Sequence, residues 1–267
     1  RISKGPVFTP GAQLPPLGGD GDASSGGKGG SEGGSDAPDA TADGDRDLTE
    51  PEGDGTDAQN EAKQRCAITL RNWSFHSENR HRLLSEGAER ALMQLARVPD
   101  AKTRACCATA LRNLASEPSL RRQLVKAGCV RTIVSISNTP TFSIVRDCLL
   151  ALCHLSNLSG GEAALVDDGA VVTLQYIMQE NARLAPLCAR TLFNLTVVEK
   201  MFDRIERVVK TFMTLGGSPM QPAEIKDLCV KALCNLSNSS RVQARMVDEN
   251  VVSVLATLGP VSYTHLT

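Results

Sequence analysis

Aromatic side chains are scarce in this 267-residue chain, at 3% of residues with one Trp, two Tyr and six Phe. So few flat rings offer little for nucleic-acid bases to stack on, and no nucleic-acid partner is expected. No stretch approaches the ~18 consecutive apolar residues that a membrane helix needs, and no charged-then-apolar leader marks secretion. The signatures of chemistry are missing as well. There is no Gly-x-Ser-x-Gly, no phosphate-cradling glycine loop between a strand and a helix, and no His-Glu-x-x-His. Cys148/Cys153 and Cys229/Cys234 stand five apart, about 140° round a helix, so neither pair converges on a metal. His76 and His81 have the same spacing. Neither enzyme activity nor a cofactor or metal is expected.

Glycine is unevenly spread: residues 1–60 hold 14 of the 22. That segment has almost no periodic apolar positions, so it cannot bury enough surface to offset ordering and is expected to be disordered. It carries 12 Asp/Glu against 4 Lys/Arg, a net of −8, which leaves +7 for the rest. The near-neutral total conceals two oppositely charged parts. At the other end Val261-Ser-Tyr-Thr-His-Leu-Thr267 resembles a translated sequencing adapter and is set aside from the fold. Both ends of the ordered part, 61–260, are expected to be truncated. Nine cysteines in a chain without a secretory signal point to a reducing compartment, the cytoplasm or alternatively the nucleus. Sequons such as Asn157-Leu-Ser and Asn238-Ser-Ser are discounted for the same reason.

What the chain does have is a phrase repeated five times: Cys66-Ala-Ile-Thr-Leu-Arg-Asn72, Cys107-Ala-Thr-Ala-Leu-Arg-Asn113, Cys148-Leu-Leu-Ala-Leu-Cys-His154, Cys188-Ala-Arg-Thr-Leu-Phe-Asn194 and Cys229-Val-Lys-Ala-Leu-Cys-Asn235. The cysteines are 41, 41, 40 and 41 residues apart. A period of that length means stacked helical units that contact only their neighbours. Within each phrase Cys, the Leu four later and the residue three beyond (Leu, or Trp73) make one apolar stripe on a helix, so these are expected to be buried. Fifteen residues after the phrase Asn or His come Gly87, Gly128 and Gly169, suited to a left-handed helix exit. Asn250 holds that offset in the last unit. Val209 holds it after Asn194, where Met201 to Leu215 reads as one continuous helical pattern with a shortened or fused first helix. Arg90–Ala96 and Val171–Ile177 read as second helices, Glu61–Phe75 as a third helix, and Pro99, Pro140 and Pro219 as punctuation of the loops before third helices.

The phrase and its Asn-Leu-Ser/Thr sequel resemble the third helix of an armadillo repeat, and Leu-Val-Lys-Ala-Gly128 and Leu-Val-Asp-Asp-Gly169 resemble its first helix and turn. The resemblance spans about residues 61–260 and implies an all-α, right-handed superhelical solenoid of about five units, monomeric. It also implies a non-enzymatic scaffold that binds extended peptide segments along a concave groove, where the phrase Asn grips the peptide backbone. The groove ladder would be Asn72, Asn113, His154, Asn194 and Asn235, with His154 departing from the pattern. In projection at 100° per residue the exposed side of each third helix holds that position and those one, four and eight before it. They supply Arg71, Arg112, Arg146, Arg190 and Lys231 against one acid, Asp227, so acidic partners are expected. Two other roles come with the family: substrate recognition in a U-box ubiquitin ligase, and nuclear-import adaptor. The import role is disfavoured because Ile68, Thr109, Leu150, Arg190 and Lys231 stand where a Trp ladder would be needed.

Overall fold

The computed structural model describes residues 54–258. The expectations for 1–53 and for the 261–267 tail lie outside those residues. Every element is helical, and no strand occurs among the described residues. Five third helices carry the phrase: α1 Asp54–Phe75, α4 Ala101–Ser116, α7 Phe142–Ser156, α10 Ala185–Leu195 and α12 Ala223–Leu236. They pack in chain order, α1 on α4, α4 on α7, α7 on α10 and α10 on α12. Second helices are α3 Ala88–Leu95, α6 Cys129–Ser137, α9 Ala170–Glu180, α11 Val208–Gly217 and α14 Val251–Leu258. First helices are α2 Ser77–Ser85, α5 Arg121–Lys126, α8 Glu162–Asp167 and α13 Ser240–Asp248, with a 3-10 turn, Glu199–Arg204, in that place after α10.

The turn between first and second helices obeys the offset. Gly87, Gly128 and Gly169 sit at φ of 84°, 84° and 86°, and Asn250 is the one non-glycine with positive φ among the described residues, at 56°. That region penalises a Cβ, and Asn is among the few side chains that tolerate it. The exit from third to first helix is closed by another device. Arg80, Arg121 and Gln243 stand eight residues after the phrase Asn, and each donates to a carbonyl at the end of the preceding third helix. The acceptors are the oxygens of Ser74 (2.9 Å), Ala115 (2.9 Å) and Ser237 (2.6 Å). A helix end leaves such carbonyls unpaired, and the next helix's own side chain satisfies them. At the other end of α4, Asp100 accepts from Thr103 N–H (2.8 Å) and from Gln64 of α1 (3.0 Å). The Thr103 and Gln64 hydrogen bonds hold its carboxyl down to about 2.

The stripe is the core: Cys107, Cys148, Cys188 and Cys229 are fully buried, together with Leu111, Leu152, Leu192 and Leu233. Burial pushes the Cys107, Cys188 and Cys229 thiols up to about 12, so they serve as small apolar residues rather than nucleophiles.

Three expectations fail. The first third helix opens at Asp54 rather than Glu61, so part of the segment read as disordered is helical. In the same helix Trp73 is 53% exposed and Cys66 is also exposed, although both occupy the stripe. The stripe of a third helix is covered by the second helix of its own unit, and none precedes α1 among the described residues. Finally, Met201 to Leu215 is not one continuous helix. It breaks at Ile205 (φ −113°, ψ 15°), which lets Phe202 from the 3-10 turn and Ile205 itself both pack inward at 1% and 0% exposure.

Candidate functional site

The third helices present one side to each other and one side outward, and the phrase asparagines lie at the boundary. Asn113, Asn194 and Asn235 are buried, at 6%, 5% and 0% exposure, whereas the projection places them on the exposed side. Each points sideways to the preceding third helix. Asn113 Nδ2 donates to Ser74 Oγ at 3.0 Å, Asn194 Nδ2 to Ser156 Oγ at 2.8 Å, and Asn235 Nδ2 to Thr196 Oγ1 at 3.3 Å. The acceptor is always the hydroxyl two residues past the previous unit's phrase position. That hydroxyl donates in turn to its own helix, to the carbonyls of Arg71, Cys153 and Phe193. Each hydroxyl thus spends its proton at home and takes the next unit's amide on a lone pair. A single-helix projection contains no neighbour and cannot show this. Asn72 remains exposed and His154 is half-buried.

One junction lacks this bracket. Between α4 and α7 the hydroxyl position is Ala115 and the amide position is His154. In its place Asp147 binds across the junction, accepting from Arg112 Nη1 at 2.7 Å and from Thr109 Oγ1 at 2.7 Å. Asp147 is 7% exposed. Sequence reading missed it because it stands seven residues before His154, outside the four positions read as the exposed side, although it lies only about 20° from His154 in projection. The available signal was an acid seven residues before His154, where Arg65, Cys106, Leu187 and Leu228 stand in the other units.

The five cations on this face therefore differ in what they are free to do. Arg112 is held by Asp147, and it also reaches Asn113 Oδ1 from Nη2 at 3.1 Å. Arg71 makes the equivalent reach to Asn72 Oδ1 at 3.0 Å. Arg146 is half-exposed, 4.0 Å from Asp147, and Lys231 pairs with Asp227 at 2.6 Å on the same helix. Arg190 is only partly exposed, yet it has no hydrogen bond or ion pair among the described residues. An open cleft of about 1150 Å³ runs past the ends of α7 and α10, with Asn157, Asn194, Val197, Glu162, Glu199 and Lys200 on its walls.

His154 is held down to about 4, chiefly by burial and then by the guanidiniums of Arg121 on α5 and Arg112 on α4. It is neutral near pH 7. A histidine depressed in the fold binds its proton more readily when unfolded, so its contribution is present above the ordinary value of about 6.5 and is lost as pH falls towards 4. Replacing His154 by Asn should flatten the loss of thermal stability between pH 6.5 and 4. An unchanged slope would assign that sensitivity to other groups.

Among the described residues no cluster of three or more His, Cys, Asp or Glu is placed to hold a metal, and no helix is long and apolar enough to cross a membrane.

No protein-family model and no curated protein matches this sequence. Solved structures do match in shape. A computationally designed armadillo repeat protein for modular peptide recognition superimposes with a TM-score of 0.66 at 14% identity, over 76% of this chain and 87% of that one. A designed armadillo repeat protein in complex with the peptide (KR)4 gives 0.63 at 14% identity, over 80% and 90%. An engineered protein gives 0.63 at 21% identity, over 74% and 83%. Likeness at such identities speaks to architecture alone: the described residues fold as an all-α armadillo-repeat solenoid.

Proposed function

We propose that the protein is a non-catalytic scaffold that binds extended, acidic protein segments along the face formed by α1, α4, α7, α10 and α12. The carrying observation is the charge of that face. Arg71, Arg112, Arg146, Arg190 and Lys231 stand on it against Asp147 and Asp227, and the two acids leave Arg71 and Arg190 without an ionic partner among the described residues. A structurally similar designed protein holds the peptide (KR)4, and a cationic face calls for a ligand of the opposite sign. The rungs also suit an extended chain. Packed helices lie ~8–10 Å apart, and an extended peptide advances ~3.3 Å per residue, so successive third helices meet every second or third residue of the ligand. Asn72, Asn113, Asn194 and Asn235 would meet its backbone with whatever amide capacity the inter-unit brackets leave, and His154 would meet it at the exceptional rung. We place the protein in the cytoplasm, or alternatively the nucleus, as a monomer, on the strength of its nine cysteines, the phrase thiols among them apart from Cys66 being buried and protonated.

A fluorescein-labelled peptide repeating Leu-Leu-Glu-Glu should bind saturably in polarisation titrations, and a labelled (Lys-Arg)4 peptide should not. Affinity should fall as salt shortens the screening length from ~10 Å at 0.1 M to ~3 Å at 1 M. Equal or tighter binding of the basic peptide would overturn the acidic reading.

A further inference from the structure

The five cations of the third-helix face are not equivalent anion sites, and the reason lies in their partners. Arg112 has each of its nitrogens spoken for: Nη1 on Asp147, and Nε and Nη2 on Asn113 Oδ1. Its role is to join α4 to α7. Lys231 has Asp227 at 2.6 Å on its own helix, and Arg146 lies beside Asp147. Arg71 is turned onto Asn72.

Arg190 stands apart. It lies on α10 four residues before Asn194, on the same side of the helix, and it is partly withdrawn from water with neither an ion pair nor a hydrogen bond among the described residues. A guanidinium has five donors and is never deprotonated in a protein, so withdrawing it unpaired costs free energy that an incoming anion would return. The same row position on the preceding third helix is Leu150, also partly exposed. Along the row the side chains read Ile68, Thr109, Leu150, Arg190, Lys231, so an apolar contact sits beside an unpaired cation on adjacent helices.

Building on the acidic-segment reading above, we propose that Arg190 is the anchor that takes a carboxylate side chain of the bound segment, and that Leu150 takes an apolar side chain two or three residues away in that segment. The planar guanidinium suits a carboxylate through two parallel N–H···O bonds, which a lysine could not reproduce. Asn194 lies one turn further along α10 at the edge of the open cleft, where the ligand backbone would pass. The resulting specificity is an apolar residue, one or two spacers, then Asp or Glu.

A peptide repeating Leu-Leu-Glu-Glu, the Leu-Glu peptide of these titrations, tests this without foreknowledge of register, because every Leu in it has a Glu two residues on and every other Leu has one three residues on as well. Its comparators are Leu-Gln and Ser-Glu peptides of the same length, titrated against the full chain. Arg190→Gln should weaken Leu-Glu binding about tenfold or more, the value of a lost hydrogen bond to a charged group. It should leave Leu-Gln binding unchanged and bring the two peptides to similar affinities. Arg190→Lys should recover only part of the loss. Leu150→Ser should weaken Leu-Glu binding and leave Ser-Glu binding unchanged. Lys231→Gln, which removes a cation already paired, should change Leu-Glu affinity less than about threefold, as for an exposed ion pair. Thermal melts check folding, and Arg190→Gln should melt no lower than the parent because no internal bond is lost. If Arg190→Gln leaves Leu-Glu affinity intact while binding still fades with salt, the anchor lies elsewhere and this assignment is overturned with the acidic-segment reading intact. If the unaltered protein does not distinguish Leu-Glu from Leu-Gln, both readings fall.

Discussion

Replacing Arg112 by Ala should destabilise the array by ~3–5 kcal/mol, the cost of leaving a buried charge without its partner. The side chain of Asp147 is 10% exposed and that of Arg112 is 24% exposed, with 2.7 Å between Nη1 and Oδ1. Without the guanidinium, Asp147 keeps the Thr109 hydroxyl at 2.7 Å and the half-exposed Arg146 no nearer than 4.0 Å, which together do not compensate a desolvated carboxylate. The junction between α4 and α7 is also the one with no amide-to-hydroxyl bracket, so no second polar link of that kind takes over. Urea unfolding checks this. A loss below ~1 kcal/mol would mean that the pair behaves as a surface ion pair. Replacing both residues together by apolar ones of similar volume should recover most of the loss, because a buried ion pair is worth little more than the hydrophobic contact that can replace it. The contrast with Arg190 is the useful part. Two arginines on one face, read from sequence as the same kind of residue, are expected to act in opposite ways: removing one harms the fold, removing the other harms only binding.

Leu152→Ala should cost ~2–5 kcal/mol, the range for deleting a buried leucine side chain. Leu152 is fully buried in the middle unit, four residues after the fully buried Cys148. In a stacked array each unit depends on its neighbours, so the damage should be local before it is global. Amide exchange should accelerate in α7 and in α4 and α10, which pack against it, with little change in α13. A cost below about half a kilocalorie would show that the stripe has been misphased, since so small a value belongs to exposed positions. Uniform acceleration across all helices would instead show that the solenoid unfolds as one unit.

The parts of this fold that were legible in the sequence are those set by short-range geometry. Apolar residues at a helical period place the stripe on one face, and Cys107, Leu111 and Leu114 are buried as that period requires. A chain that must leave a helix with positive φ selects Gly or Asn, and the constant offset to Gly87, Gly128, Gly169 and Asn250 marks every such turn. Where the offset falls on Val209, the left-handed turn is absent, and the chain makes a 3-10 turn and a break at Ile205 instead.

The tertiary structure alone decided which polar groups meet, because those partners sit 35 to 39 residues apart in the chain. Their meeting depends on how far one third helix is shifted and rotated against the next, and no periodicity within a single helix encodes that. Asn113, Asn194 and Asn235 were identified as special residues, but their amides turn out to tie each unit to the one before it. Asp147 carries no signal within its own helix; with α7 beside α4 it becomes the partner of Arg112. Trp73 followed the repeat's pattern and is exposed all the same, since a stripe is buried only if a helix covers it. Helix faces and turn types follow from steric rules acting within a few residues, so the sequence determines them. Among the described residues, the pairing of Arg112 with Asp147 follows from the stacking of α7 on α4, and it separates Arg112 from the unpaired Arg190.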